Sequence, residues 1–253
     1  MNGSMSYELD LPPGFSAISL REHRDAHTHA CAVAVEAGAG TLVFVRRFDT
    51  VEAAVVLEPE EPLSDARRAI YAVMTAVGDA LSAHSPPEKP LTFSWPDTIN
   101  LDGGIVGGCR MSWPQATPEL AQPDWLVASF LLRLAVPLAK PVSGGHPLDI
   151  TGVKGTSLEL EGFEMRDAAA IVSSFARHLM VQFDIWKEKG FSPVGEQYLA
   201  RLTEETAMTR GIDGNGDLLS RSLQFPAEIR RHSLVEALRQ PQWCDPETGE
   251  PWL

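Results

Sequence analysis

The sequence predicts an α+β fold: a mainly antiparallel sheet with helices packed on one face, plus a small C-terminal β-rich unit. Three observations carry this. Runs of β-branched and apolar residues cluster between Thr41 and Leu134. Segments with helical three-and-four spacing flank them rather than alternating strictly with them, which disfavours a parallel βαβ sheet. The last 48 or so residues change character, with a compact Asp-Gly turn and a Pro- and Trp-rich end.

Residues 1–14 read as an irregular lead-in closed by Pro12, Pro13 and Gly14, and residues 15–205 as the main domain. A helix is expected over about 22–37, ended by Gly38-Ala39-Gly40. Thr41–Arg47 and Ala53–Glu61 are strand-like runs separated by five residues, so they form a hairpin. Ser64-Asp65 can cap a long helix whose Ala66, Ala69, Ile70, Val73, Met74, Val77 and Leu81 share one stripe, until Pro86-Pro87 stop it. Leu91–Trp95 is a strand, and Ile99–Trp113 reads as strand, Asp-Gly-Gly turn, strand. Gln115–Asp124 and Lys140–Lys154 are loops on either side of the buried strand Trp125–Leu134. Asp167 opens a long helix ending at Gly190, and a shorter one follows near 193–202. Residues 206–253 are assigned to the small C-terminal unit.

Composition limits function. The formal charge is −13, whereas phosphate contacts to nucleic acid need clustered Lys and Arg, so a nucleic-acid partner is excluded. The most apolar stretch, Trp125–Leu138, is interrupted by Arg133 and is shorter than the ~20 residues that span a bilayer, so no membrane role is expected. Cys31, Cys109 and Cys244 form no disulfide framework or CxxC zinc pair, which places the chain in a reducing, cytoplasmic compartment.

Several constellations carry residue types capable of chemistry. His23, His27 and Cys31 stand at i, i+4 and i+8, but no fourth zinc ligand accompanies them, so they read as packing residues. Asp213-Gly-Asn215-Gly-Asp217 imitates the start of a calcium loop. It lacks Gly at the sixth position and Glu at the twelfth, so it reads as a hairpin turn. No bound metal is expected. Arg46-Arg47 can clamp a carboxylate or phosphate, or serve as edge charges against aggregation. Gly103-Gly104 and Gly107-Gly108 either admit a ligand to the backbone or make a turn and a bulge.

Ser94-Trp95-Pro96-Asp97-Thr98, followed by Asp102-Gly103-Gly104-Ile105-Val106-Gly107-Gly108, resembles the signature of biotin protein ligases, in which Lys-Trp-Pro-Asn-Asp precedes a strand, a turn and a Lys-Leu-Ala-Gly segment. Gly155-Thr156-Ser157-Leu158 is similar to that family's Ala-Thr-Ser-Leu segment. Gly211-Ile212-Asp213 through Leu218-Leu219 is similar to the hairpin that opens its C-terminal domain. On these motifs the chain is identified as a divergent member of the biotin/lipoate protein ligase superfamily.

The resemblance implies ATP- and Mg²⁺-dependent activation of a small carboxylic acid, such as biotin or lipoate, and its transfer to a lysine of a carrier-protein acceptor domain. It implies substrate-binding roles for Arg47, Trp95, Asp97, Asp102, Gly103, Gly104, Gly107, Gly108, Arg110, Thr156 and Ser157, around a cleft between Arg46-Arg47, Trp95–Asp97 and Gly103–Gly108. The family's two lysines are replaced by Ser94 and Ile105, and its Gly-Arg-Gly loop by the short Arg46–Glu52 link. The catalytic cation then falls to Arg46. A ligase with altered substrate and a non-catalytic binding module for a carboxylic acid or carrier domain both remain open on these residues.

Overall fold

The computed structural model describes residues 9–135, 155–163, 168–204, 207–225 and 228–252. The elements run β1 (Ser16–Arg21), α1 (Ala26–Ala37), β2 (Thr41–Arg46), β3 (Thr50–Leu57), α2 (Leu63–Ala66), α3 (Ala69–His84), β4 (Leu91–Ser94), β5 (Thr98–Leu101), β6 (Gly104–Ser112) and β7 (Leu126–Arg133). They continue with α4 (Ala168–Lys189), α5 (Ser192–Leu199), β8 (Met208–Ile212), β9 (Leu218–Ser222), β10 (Ile229–His232) and α6 (Leu234–Leu238).

Seven strands form one sheet in the order β1-β2-β3-β7-β6-β5-β4. Only β1 runs parallel to its neighbour; every other pairing in the sheet is antiparallel. Alternation along the strands sorts side chains onto two faces. One face presents Phe44, Val51, Ala53, Val55, Ala128, Phe130 and Leu132, which pack with Ile70, Val73, Met74 and Val77 of α3 and with Ile171 and Phe175 of α4. The two long helices thus share one face, as their apolar stripes required. Against the opposite face, Ala26, Ala30 and Ala34 of α1 meet Val43, Val45, Ala54, Val56 and Val127. The alanines recur every four residues, and their small size lets the helix lie close to the strands.

The structure adds and corrects several elements. Helix α1 begins at Ala26 rather than about 22, because Asp25 caps it, accepting from Thr28 N at 2.6 Å. The preceding residues form β1, an edge strand whose alternating burial pattern belongs to a half-exposed ladder. The helix expected from Ser64-Asp65 is divided into α2 and α3. Its first turn is drawn toward the 115–124 loop by Leu63 N→Ala121 O (2.9 Å), Ser64 N→Glu119 O (3.1 Å) and the Arg67–Glu119 ion pair. The 140–154 loop and the helix start at Asp167 lie outside the described residues.

A second sheet, β10-β9-β8, follows. Its Asp213–Asp217 segment is a hairpin turn: Asp213 Oδ1 accepts from Asn215 N (2.9 Å) and Asp217 N (3.0 Å), and Arg231 pairs with both carboxylates. The Tyr71 hydroxyl of α3 donates to Gly216 O at 2.5 Å, docking the small sheet on the main domain. After α6, Trp243 and Cys244 return to the large sheet and pack with Leu131 and Ile105.

Phe130 sits 1% exposed in β7, in an edge-to-face contact with Phe175 at 4.9 Å. Phe130→Ala is expected to cost about 3–5 kcal/mol of unfolding free energy by urea denaturation, from lost burial and the cavity left behind.

Candidate functional site

On the α1 face, the start of α1 lies over β3, β7 and β6 and brings polar side chains into a buried row. Glu52 Oε1 accepts from Ala26 N at 2.5 Å. The His27 ring is held between two hydroxyls, Nδ1 to Ser129 Oγ and Nε2 to Ser112 Oγ, each at 2.8 Å. Burial, aided by the Arg110 charge, pushes the His27 pKa down to about 4, so the imidazole is neutral and one of its nitrogens donates while the other accepts. Both ring nitrogens are therefore committed, and His27 serves as a packing residue. His23 lies outside the helix, and the Cys31 thiol is pushed up by burial.

Three guanidinium groups border this row: Arg47 just past β2, Arg110 in β6 and Arg133 at the end of β7. Each reaches the C-terminal segment. Arg47 Nη1 donates to Glu250 Oε1 (2.9 Å), Arg110 Nη2 to Gly249 O (2.6 Å) and Arg133 Nη2 to Pro251 O (2.5 Å). Arg47 Nε also donates to Glu22 O (2.9 Å) and lies 4.0 Å from Glu52, while Arg110 Nη1 reaches Asp25 at 3.4 Å. Arg133 is 4% exposed, and its Nε has no hydrogen-bond partner.

Trp243 packs with Leu131 and Ile105 beside Arg110. A side chain at Gly108 would strike both the Trp243 ring and Asp97 O, so only glycine leaves room for the indole. The Arg110 guanidinium lies 5.2 Å from the Trp243 ring centroid, within cation–π range. Trp243 is fully buried, and its Nε1 faces the Asp97 carboxyl without completing a hydrogen bond. Asp97 is itself buried, and desolvation raises its pKa to about 7; the Thr98 hydroxyl donates to it at 3.3 Å. Desolvation likewise raises Glu52 to about 7, against the backbone donor at Ala26.

The sequence-predicted residues divide. Arg47, Asp97, Gly108 and Arg110 converge here, and Gly107 lies beside Gly108 within β6, where a Cβ would strike Leu131 O. Arg46 is exposed, and the alternation that sets Val43 and Val45 on the α1 face turns it away from that face. Trp95 points to the other side of the sheet, donating to Tyr71 OH at 2.9 Å and lying against His232. Asp102 and Gly103 form the exposed β5–β6 turn, where Lys89 bridges Asp102 (2.9 Å) and Glu161 (2.7 Å). Thr156 packs on Gly104, donating to Glu161 at 2.6 Å, and the Ser157 hydroxyl accepts from Leu160 N.

The cleft expected between Arg46-Arg47, Trp95–Asp97 and Gly103–Gly108 is closed over Gly108 by Trp243. The open volume lies beside it, a cavity of about 770 Å³ lined by Arg110, Gln240, Cys244, Asp245, Gly249 and Trp252. Sequence reasoning missed Arg133, Glu52, Ser129 and the C-terminal segment as members of this face. Arg133 had a signal, being a lone charge within the most apolar run. Trp243 and Glu250 had none.

Residues 11–200 match the model of the biotin/lipoate A/B protein ligase family, and the chain belongs to that family. It is 26% identical to a biotin–[acetyl-CoA-carboxylase] ligase of Paracoccus denitrificans over 183 residues, covering 66% of this chain and 72% of that protein. Among solved structures, it resembles a biotin protein ligase-like protein of unknown function from a Silicibacter species, with a TM-score of 0.75, 23% identity, and coverage of 90% of this chain and 98% of that one. It also resembles the apo biotin protein ligase of Aquifex aeolicus (TM-score 0.63, 15% identity, 86% and 95% covered). A third structure is that Aquifex enzyme in complex with biotin and ATP (TM-score 0.59, 13% identity, 85% and 94% covered). These likenesses establish the fold.

Asp97 and Glu52 hold protons more tightly folded than unfolded. Stability from these groups is therefore full below about pH 4, their unfolded range, and is lost as pH rises through about 7. Asp97→Asn is expected to flatten the fall in unfolding free energy between pH 4 and 7, measured by urea denaturation across that window; an unchanged slope contradicts the assignment.

Proposed function

We propose that this family member binds a small carboxylic acid of the biotin or lipoate type on the Arg47–Arg110–Arg133 face and activates it with ATP for transfer to a carrier-protein lysine. The observation that carries this reading is the convergence of three guanidiniums on one face of a chain that is otherwise strongly acidic. In the two steps, the carboxylate oxygen attacks the α-phosphorus and pyrophosphate leaves; the carrier amine then attacks the acyl carbon and AMP leaves. Both steps build negative charge on phosphate oxygens. Positioned cations in a water-poor site stabilise such charge.

The residues at the two lysine positions do not supply it. Ser94 Oγ accepts from Asn100 Nδ2 at 3.0 Å, and Ile105 packs beside Trp243. Arginine replaces a point charge by a planar fork suited to two oxygens of one carboxylate or phosphate. The described residues gather no set of three or more His, Cys, Asp or Glu side chains fit to hold a metal. Mg²⁺ in this reading accompanies the nucleotide phosphates.

A second reading, a binding module without catalysis, is favoured by the coverage of Gly108 by Trp243 and by the lack of any lysine among the described residues lining the face. Acyl-dependent ATP–pyrophosphate exchange separates the two. With biotin, lipoate and octanoate tested in turn, exchange with one of them supports activation, whereas ligand-induced thermal stabilisation without exchange supports binding alone. A ligand at a hundred times its Kd adds about 2.7 kcal/mol. Arg110→Gln is expected to weaken binding of the stabilising ligand by about tenfold or more, the scale of a lost charge-assisted hydrogen bond of about 1.5–3 kcal/mol. Unchanged affinity in Arg110→Gln would remove this residue from the site.

A further inference from the structure

We infer that residues 243–252 form an internal latch on the arginine face, a hairpin whose Glu250 carboxylate and two backbone carbonyls stand in for the oxygens of an anionic ligand. This rests on the anion-binding reading above and adds a regulation to it: the hairpin must lift before a carboxylate or phosphate ligand can bind.

The hairpin is a self-contained loop. Asp245 N donates to Glu250 O (2.9 Å), Gly249 N to Asp245 O (2.7 Å) and Trp252 N to Trp243 O (3.1 Å), and the Cys244–Pro251 bridge closes it. The Asp245 carboxylate accepts from Glu247 N at 2.7 Å and braces the turn. Such internal bonds let the segment move as a unit. Its link to α6 passes through Arg239, Gln240 and Gln242, all exposed, so few buried contacts hold the connection.

What the hairpin offers the sheet is the set of atoms an anion would offer. Three successive residues, Gly249, Glu250 and Pro251, each give one oxygen to a different arginine. The fit is incomplete. A buried donor under the hairpin, Arg133 Nε, has no partner, which is unusual for a permanent interface, where buried donors are nearly always paired. A ligand oxygen beside Arg133 would satisfy the guanidinium edge that the single Pro251 carbonyl leaves idle. The roomy cavity next to Arg110 shows that the docked hairpin does not fill the face.

Cys244 reports on the latch, because docking buries it to 4% exposure. The experiment alkylates the full-length protein with N-ethylmaleimide, follows Cys244 by peptide mass spectrometry, and measures inorganic pyrophosphate binding by calorimetry. Glu250→Gln is expected to raise Cys244 labelling severalfold without ligand and to tighten pyrophosphate binding about tenfold. Saturating pyrophosphate is expected to speed Cys244 labelling in the unmodified protein. Glu247→Gln, an exposed change in the same turn, should alter neither. If pyrophosphate binds equally to all three proteins and Cys244 stays protected throughout, the anion site stands and the latch is overturned. If labelling rises in Glu250→Gln but pyrophosphate binds to none of them, the anion site fails, and with it the competition that defines the latch.

Discussion

Strand β7 is the constraint on which the rest of this structure depends. All eight of its residues, Leu126–Arg133, are buried, because it lies between β3 and β6 and both of its faces are covered. Antiparallel pairing with β3 runs its full length, Thr50↔Arg133 to Leu57↔Leu126, and pairing with β6 fixes Gly108 opposite Leu131 and Arg110 opposite Ser129. A one-residue slip would exchange its faces and drive Ser129 and Arg133 into the apolar core under α3 and α4. Hydrophobic burial on one side therefore holds the polar row on the other in register.

That polar face is expensive to keep. A buried guanidinium must be hydrogen-bonded to offset its lost hydration, and each unpaired buried donor costs about 1–3 kcal/mol. The Arg110 guanidinium meets this with Asp25, Gly249 and the face of Trp243. Arg133 meets it only in part. Glu52 and Asp97 respond to the same dry surroundings in the opposite sense, by holding protons to about pH 7.

Two positions at which the sequence resemblance marks a departure meet the C-terminal hairpin: Arg47 of the β2–β3 link pairs with Glu250, and Ile105 packs beside Trp243. Only residues 47–49 join β2 to β3, where the resemblance leads one to expect a longer Gly-Arg-Gly loop. The short link leaves the face open, and the C-terminal hairpin covers it. The replaced lysines lie on the same side of the problem: Ile105 gives Trp243 an apolar neighbour, which an ammonium group could not.

The sequence by itself determined the sheet and the long helices, because β-branched runs and three-and-four apolar stripes report burial locally. It also determined the family, through Trp95-Pro96-Asp97 and the glycines that follow. Edge strand β1 escaped notice because half-exposed edges carry little apolar signal. The candidate site was legible only at Arg47, Asp97, Gly108 and Arg110. Motif proximity also drew in Trp95, Asp102 and Thr156, although strand alternation and the β5–β6 turn place them elsewhere. Glu52, Ser129, Arg133 and Trp243 join the site through pairings between residues as much as 135 positions apart, such as Gly108 with Trp243. Only the tertiary structure decided that membership, because it depends on which strand neighbours which and on where the chain's end comes to rest. Neither is encoded in the spacing of residues along the chain.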